Sequence, residues 1–251
     1  MKKLSESKNL REKFILKGGY LLTTLLQLEN RATADLDGTI ANMKLDDEAV
    51  DKFKQLITSP DDDGIVRFEW LGAAETRVNF LYSGFNLRLN YLSGKMRVPI
   101  NVDMTTGEDI LPAKLQPVSL LFEEGTVEFR TYPIEQILAD KIYTTLVYGK
   151  VDDSNSRAKD LYDIHIIQRN FPEFSLSDVA NAISMTNHQR AAAIEVTNYI
   201  PIIDFLSKSD KQKEYWSKFQ HQNSYARSFS FEEIFDSVRK VVNDLSLFNR
   251  K

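Results

Sequence analysis

Arg31-Ala-Thr33-Ala-Asp35-Leu-Asp37-Gly38 is the stretch on which the reading of this chain turns. The alternation about Asp35-Leu36-Asp37 predicts a short strand, and residues two apart on a strand point to the same side. Both carboxylates therefore share a face. At a low effective dielectric two such charges repel strongly unless a cation lies between them, so the pair reads either as a divalent-metal site or as a solvated acidic turn. Hard carboxylate oxygens suit Mg²⁺ or Mn²⁺, which commonly travel with nucleotide phosphates. Upstream, Glu12-Lys-Phe-Ile-Leu-Lys17 ends in an apolar run that Gly18-Gly19 breaks, and Tyr20-Leu-Leu-Thr-Thr-Leu-Leu continues with helical spacing. A glycine pair opening a helix lets backbone N–H groups approach an anion, which makes Gly18 and Gly19 a candidate phosphate cradle.

Composition narrows the setting. The chain has 251 residues, 42% hydrophobic and 27% charged, with a net charge of −4. That is an ordinary globular balance without general affinity for polyanions, so any nucleic acid must be held by a local basic patch. There is no cysteine, which excludes disulfides, thiolate metal sites and cysteine nucleophiles. His165, His188 and His221 are too scattered for a zinc site, His165 reading as a helix-packing residue and the others as surface. No apolar run suits a signal peptide or a membrane span, and a cytoplasmic address with no membrane partner is expected.

Further along, Leu45 to Ile57 carries acids in its first turn and Val50, Phe53 and Ile57 at helical spacing, while Asp61-Asp62-Asp63-Gly64 reads as a solvated turn. From Ile65 to Arg130 the period changes to two. Strands are expected at 65–70, 77–82, 86–91, 98–103 and 126–130, in a mostly antiparallel sheet. Asp103 ends one of them, either as a third carboxylate or as an exposed acid beginning a turn. Arg67, Arg77, Arg88, Lys95 and Arg97 recur here, as a phosphate-binding surface or as solvent-facing positions. Beyond Pro133 the pattern is helical. Lys141 flanks the stripe of Ile134, Ile137, Leu138, Ile142 and Leu146, where a lysine must either snorkel or meet an anion. Residues 148–156 read as a turn-rich linker. Arg157, Asp160, Leu161 and Ile164 then fall on one helical face. The fold class is α+β.

Taken together, Leu16-Lys17-Gly18-Gly19, Arg31-x-Thr33-x-Asp35-Leu-Asp37, Asp103, Tyr132-Pro133-Ile-Glu135-Gln-Ile-Leu-Ala-Asp140-Lys141 and Ser156-Arg157-Ala-Lys159-Asp160-Leu-Tyr-Asp163 resemble the AbiEii/AbiGii-type nucleotidyltransferase toxins of bacterial abortive-infection and toxin–antitoxin systems. The resemblance covers positions 14 to 170. It implies a nucleotidyltransferase-type mixed sheet flanked by helices over 1–131 and a helical domain over 132–251 closing the active-site cleft. It implies Asp35, Asp37 and Asp103 as metal ligands, with Asp103 accepting the proton of the attacking hydroxyl. Lys17, Gly18, Gly19, Thr33, Lys141 and Lys159 are implied for nucleotide binding, and Lys141 and Asp160 as catalytic residues of the helical half. The implied activity is Mg²⁺- or Mn²⁺-dependent transfer of a nucleoside monophosphate from an NTP to an RNA acceptor, the tRNA 3′ end, countered by a cognate antitoxin in an antiviral defence setting. A small-molecule acceptor, or a non-catalytic interaction module of the same fold, are the alternatives. Two departures stand out. Tyr20 occupies the place where a small hydroxyl residue commonly follows Gly-Gly, and Gly38 the place where an apolar residue is frequent.

Overall fold

The structure is a computed structural model that describes residues 1–27, 35–60, 64–76, 84–120, 124–189 and 199–248. The chain divides into two compact units, one of Met1–Glu108 and Pro112–Tyr132, the other of Asp109–Leu111 and Pro133–Lys251.

The first unit is built on a seven-stranded sheet. Its middle is β1 (Phe14–Lys17) beside β2 (Asp35–Ile40), paired antiparallel so that Lys17 stands opposite Asp37. Phe14, Ile15 and Leu16 are fully buried, which is why so short a strand holds its place. β2 runs parallel to β5 (Met96–Thr106), and β1 runs parallel to β7 (Thr126–Thr131). β3 (Val66–Thr76) and β4 (Gly84–Ser93) extend the β5 side as antiparallel neighbours, and β6 (Lys114–Ser119) pairs with β7, giving the order β3-β4-β5-β2-β1-β7-β6. Among the described residues the sheet is therefore mixed, with four antiparallel pairings, as expected for the 65–130 region, and two parallel ones. Parallel neighbours need a long crossover, and β2 and β1 each pair with a strand formed much later in the chain. β6 escapes sequence reading because Pro117 interrupts its pattern; proline is tolerated there because β6 is an edge strand. The segments at 61–63 and 77–82, with Arg77, lie outside the described residues.

Helix α1 (Lys2–Glu6) opens the chain, and turns follow it to Lys13. It is anchored by Lys3, whose Nζ donates to the carbonyls of Ile57 (3.1 Å) and Ser59 at the C-terminal end of α3 (Asp47–Thr58). A cation there satisfies carbonyls that the helix leaves open. At its other end α3 is capped by Asp46, which accepts from the Ala49 N–H at 3.1 Å. Helix α2 (Gly18–Leu26) starts directly after β1.

The second unit is helical: α4 (Ile134–Val151), α5 (Ala158–Asn170), α6 (Leu176–Gln189), α7 (Ile200–Ser207), α8 (Asp210–Gln222) and α9 (Phe231–Phe248). Tyr148-Gly149-Lys150 belongs to α4 and not to a linker. Gly149 is a packing glycine, since a Cβ there would meet Leu206 Cδ1 at 2.5 Å and Ile202 Cγ2 at 2.9 Å on α7. Among the described residues no helix is long and apolar enough to cross a membrane.

Candidate active site

The pleat puts Asp35 and Asp37 on one face of β2, and the parallel register sets Asn101 opposite Asp35 and Asp103 opposite Asp37. Three carboxylates thus stand on a common face of two adjacent strands. Asp35 and Asp103 are exposed and Asp37 is half-buried. Amides hold their orientation: Asn101 Nδ2 donates to Asp35 Oδ1 (3.0 Å), and Asn86 Nδ2, from β4, donates to Asp103 Oδ1 (2.8 Å). Among the described residues no three His, Cys, Asp or Glu side chains already converge as a ligand set. What the acids offer is charge of one sign, from hard oxygen donors, in fixed register.

Gly18 adjoins this face. Its φ is +72°, a left-handed value, and a Cβ at this position would lie 2.6 Å from Asp37 Cγ. Only glycine suits both the backbone and the contact. The helix N-terminus of α2 and the Asp37 carboxylate therefore meet through the bare backbone of Gly18, with Gly19 next in the helix.

Lys17 is tied into a polar cluster of the first unit. Its Nζ donates to Glu108 Oε2 (2.5 Å) and Thr105 Oγ1 (2.8 Å), and lies 5.6 Å from the Tyr132 ring centroid. Thr105 Oγ1 and Tyr132 OH also donate to Glu108 Oε2, at 2.7 and 3.1 Å. Lys17 is thus the internal counter-ion of Glu108. Sequence reading missed Glu108, Thr105 and Tyr132 as a cluster; the only signal was Gly107, whose φ of +77° marks the turn that brings Glu108 back.

The two departures are also accounted for. Tyr20 OH donates to the Ser119 carbonyl, and burial pushes the phenol up to about 12. It anchors α2 to the edge strand β6. At Gly38, a Cβ would lie 2.7 Å from Phe14 Cε1, so the Phe14 ring fills the space a side chain would take. Thr33 and Arg31 lie outside the described residues. Of the strand cations, Arg97 is paired with Glu69, which also accepts from Asn90.

In the helical unit, Lys141 of α4 meets the anion its position called for, and in fact meets two. Its Nζ lies 2.7 Å from Asp160 Oδ1 and 3.1 Å from Asp163 Oδ2, both on α5, and Arg157 Nη1 donates to Asp160 Oδ2 at 3.4 Å. Asp163, wholly buried, is the member that sequence reading left without a role; its spacing one turn after Asp160 was the available signal. Burial by itself would lower the Lys141 pKa, but the charges of Asp163 and Asp160 outweigh it and hold the ammonium well above its ordinary range. Lys159 is exposed. His165 packs between helices, its Nδ1 2.6 Å from Ser237 Oγ, and His188 and His221 are exposed.

The sequence model of the nucleotidyl transferase AbiEii toxins of type IV toxin–antitoxin systems matches residues 3–237. The chain belongs to this AbiEii family. Membership makes it a nucleotidyltransferase toxin by family and implies an antitoxin as partner. Solved structures agree on the fold: JHP933 from Helicobacter pylori is similar with a TM-score of 0.54 at 14% identity, over 99% of this chain and 88% of that one. A structure described as a nucleotidyltransferase from H. pylori gives a TM-score of 0.51 at 14% identity, over 99% and 91%. None of the curated proteins matches the sequence. The mixed sheet flanked by helices is thus the AbiEii-family form of the α+β class expected from the residues.

Proposed function

We propose that this AbiEii-family chain is a divalent-metal-dependent enzyme that transfers a nucleoside monophosphate from an NTP to an RNA acceptor, the tRNA 3′ end. The observation that carries the reading is the register of Asp35, Asp37 and Asp103 on one face, with Gly18 pressed against Asp37. Three hard carboxylates beside a side-chain-free helix start fit Mg²⁺ or Mn²⁺ together with a polyphosphate, and these residues would hold the ion. A metal bound there supplies positive charge to the triphosphate and to the developing pyrophosphate.

The chain's own groups do the rest. The acceptor hydroxyl oxygen bonds to the α-phosphorus as the bond to pyrophosphate breaks, and Asp103 takes the hydroxyl proton. Backbone N–H groups of Gly18 and Gly19 receive phosphate oxygens, with Thr33 as a further donor. Lys17 secures the Glu108 turn that follows β5 and so keeps Asp103 in register. Lys141 supplies a permanent cation for phosphate, Asp160 orients it, and Lys159 adds exposed positive charge.

Purified protein incubated with each α-³²P-labelled NTP, Mg²⁺ and total tRNA tests this directly. Label entering the tRNA band with wild type and not with Asp37→Ala is expected. No labelled RNA with any NTP would overturn the RNA reading and direct attention to a small-molecule or protein acceptor.

A further inference from the structure

Tyr148 is a large aromatic that α4 leaves 41% exposed. It lies two helical turns beyond Lys141 and hence on the same helix face. Over its ring sits Arg157, the guanidinium carbon 3.9 Å from the ring centroid, which is the separation of a stacked cation–π pair. Arg157 in turn donates Nη1 to Asp160, so the stack is joined directly to the Lys141 cluster. Among the described residues, two polar groups of this patch lack partners. Arg157 Nε is buried without an acceptor, and Thr145 Oγ1, one helical turn from both Lys141 and Tyr148, is 1% exposed with no hydrogen bond. A stack kept only to join two helices gives no reason to leave a donor and a hydroxyl unsatisfied beside an exposed ring. Lys150 and Lys159, both exposed, flank the patch with positive charge.

We propose that the Tyr148–Arg157 stack is a nucleobase platform: a base stacks on the paired phenol and guanidinium planes while the adjacent phosphate is met by the flanking lysines. Planar π surfaces next to cations are how proteins hold unstacked bases with little sequence preference. The inference rests on the transferase reading above and deepens it by naming a subsite in the helical unit. Two sources share this chemistry, the base of the incoming NTP and an end base of the acceptor RNA.

The test is equilibrium binding of NTP·Mg²⁺, of a short fluorescein-labelled single-stranded RNA and of its abasic analogue to wild type, Tyr148→Ala and Tyr148→Phe, each variant first checked by thermal melting. Tyr148→Ala is expected to weaken one of the two base-bearing ligands by roughly fivefold or more, with Tyr148→Phe close to wild type and the abasic RNA indifferent to the substitution. Loss confined to RNA identifies the acceptor base, and loss confined to NTP the incoming base. Unchanged affinity for both in Tyr148→Ala, or an equal loss for the abasic RNA, overturns the platform. The two readings fail separately. Transfer that depends on Asp37 with base binding indifferent to Tyr148 sinks the platform alone, whereas Tyr148-dependent base binding with no transfer by wild type sinks the transferase reading alone.

Discussion

Asp35, Asp37 and Asp103 stand on an accessible face of the sheet, with the amides of Asn101 and Asn86 donating to the outer two, whereas Asp160 and Asp163 close on the ammonium of Lys141 with Asp163 wholly buried. Both regions gather aspartates, but the second folds them around a lysine while the first lines them up side by side on two adjacent strands. Aspartates closed on a shared ammonium brace the helices that carry them, whereas under the proposed function aspartates in line on a strand pair would hold an ion. The two sets should therefore respond oppositely to mutation.

The largest effect on stability is expected at Asp163. Asp163→Ala leaves Lys141 buried with half its compensation, and breaking a buried pair costs about 3–5 kcal/mol, readable in urea denaturation. A variant as stable as wild type would erase the contrast. Asp37→Asn is next: transfer should fall by roughly 100-fold or more, while the urea midpoint moves less than it does for Asp163→Ala. If the acidic face holds the metal as proposed, Mg²⁺ should raise the Tm of wild type and not that of this variant. Gly18→Ala joins the two behaviours, because it needs a left-handed backbone and displaces Asp37. It should lower stability by about 1–3 kcal/mol and transfer as well, and a variant defective in neither would separate Gly18 from the acidic face. The smallest effect concerns Tyr20, whose folded-state pKa of about 12 exceeds its ordinary 10.0. As pH rises from 10.0 toward 12 the unfolded chain releases the phenol proton while the folded protein keeps it, so stability falls across that window. Tyr20→Phe should lose about 1 kcal/mol at neutral pH and show a flatter decline above pH 10, measured by melting at a series of pH values.

The mixture of legible and hidden features follows from the range of the interactions involved. That Asp35 and Asp37 share a face follows from alternation alone, and that Lys141 needs an anion follows from its place beside an apolar stripe. Both are local. The α+β class is legible for the same reason, since a change of period from two to 3.6 is written in consecutive residues. The pairing of Asp37 with Asp103 is a matter of register between strands far apart in sequence, and no local pattern specifies it. The attachment of Lys17 to Glu108 depends on a turn at Gly107 whose direction the sequence does not reveal. Leu247 is 61% exposed although apolar, because its helix presents another stripe, including Val238, Val242 and Leu245, to the interior.

The Phe14 ring over Gly38 has a consequence for how this chain can change over time. The two positions divide one volume, so a larger residue at 38 is barred until position 14 has become smaller, and a smaller residue at 14 first opens a void beside Phe129, whose ring centroid lies 5.7 Å from that of Phe14. Neither single step is free, and only the double exchange conserves volume. The order of substitutions is thereby constrained: any route from Gly38 to a larger apolar residue runs through position 14.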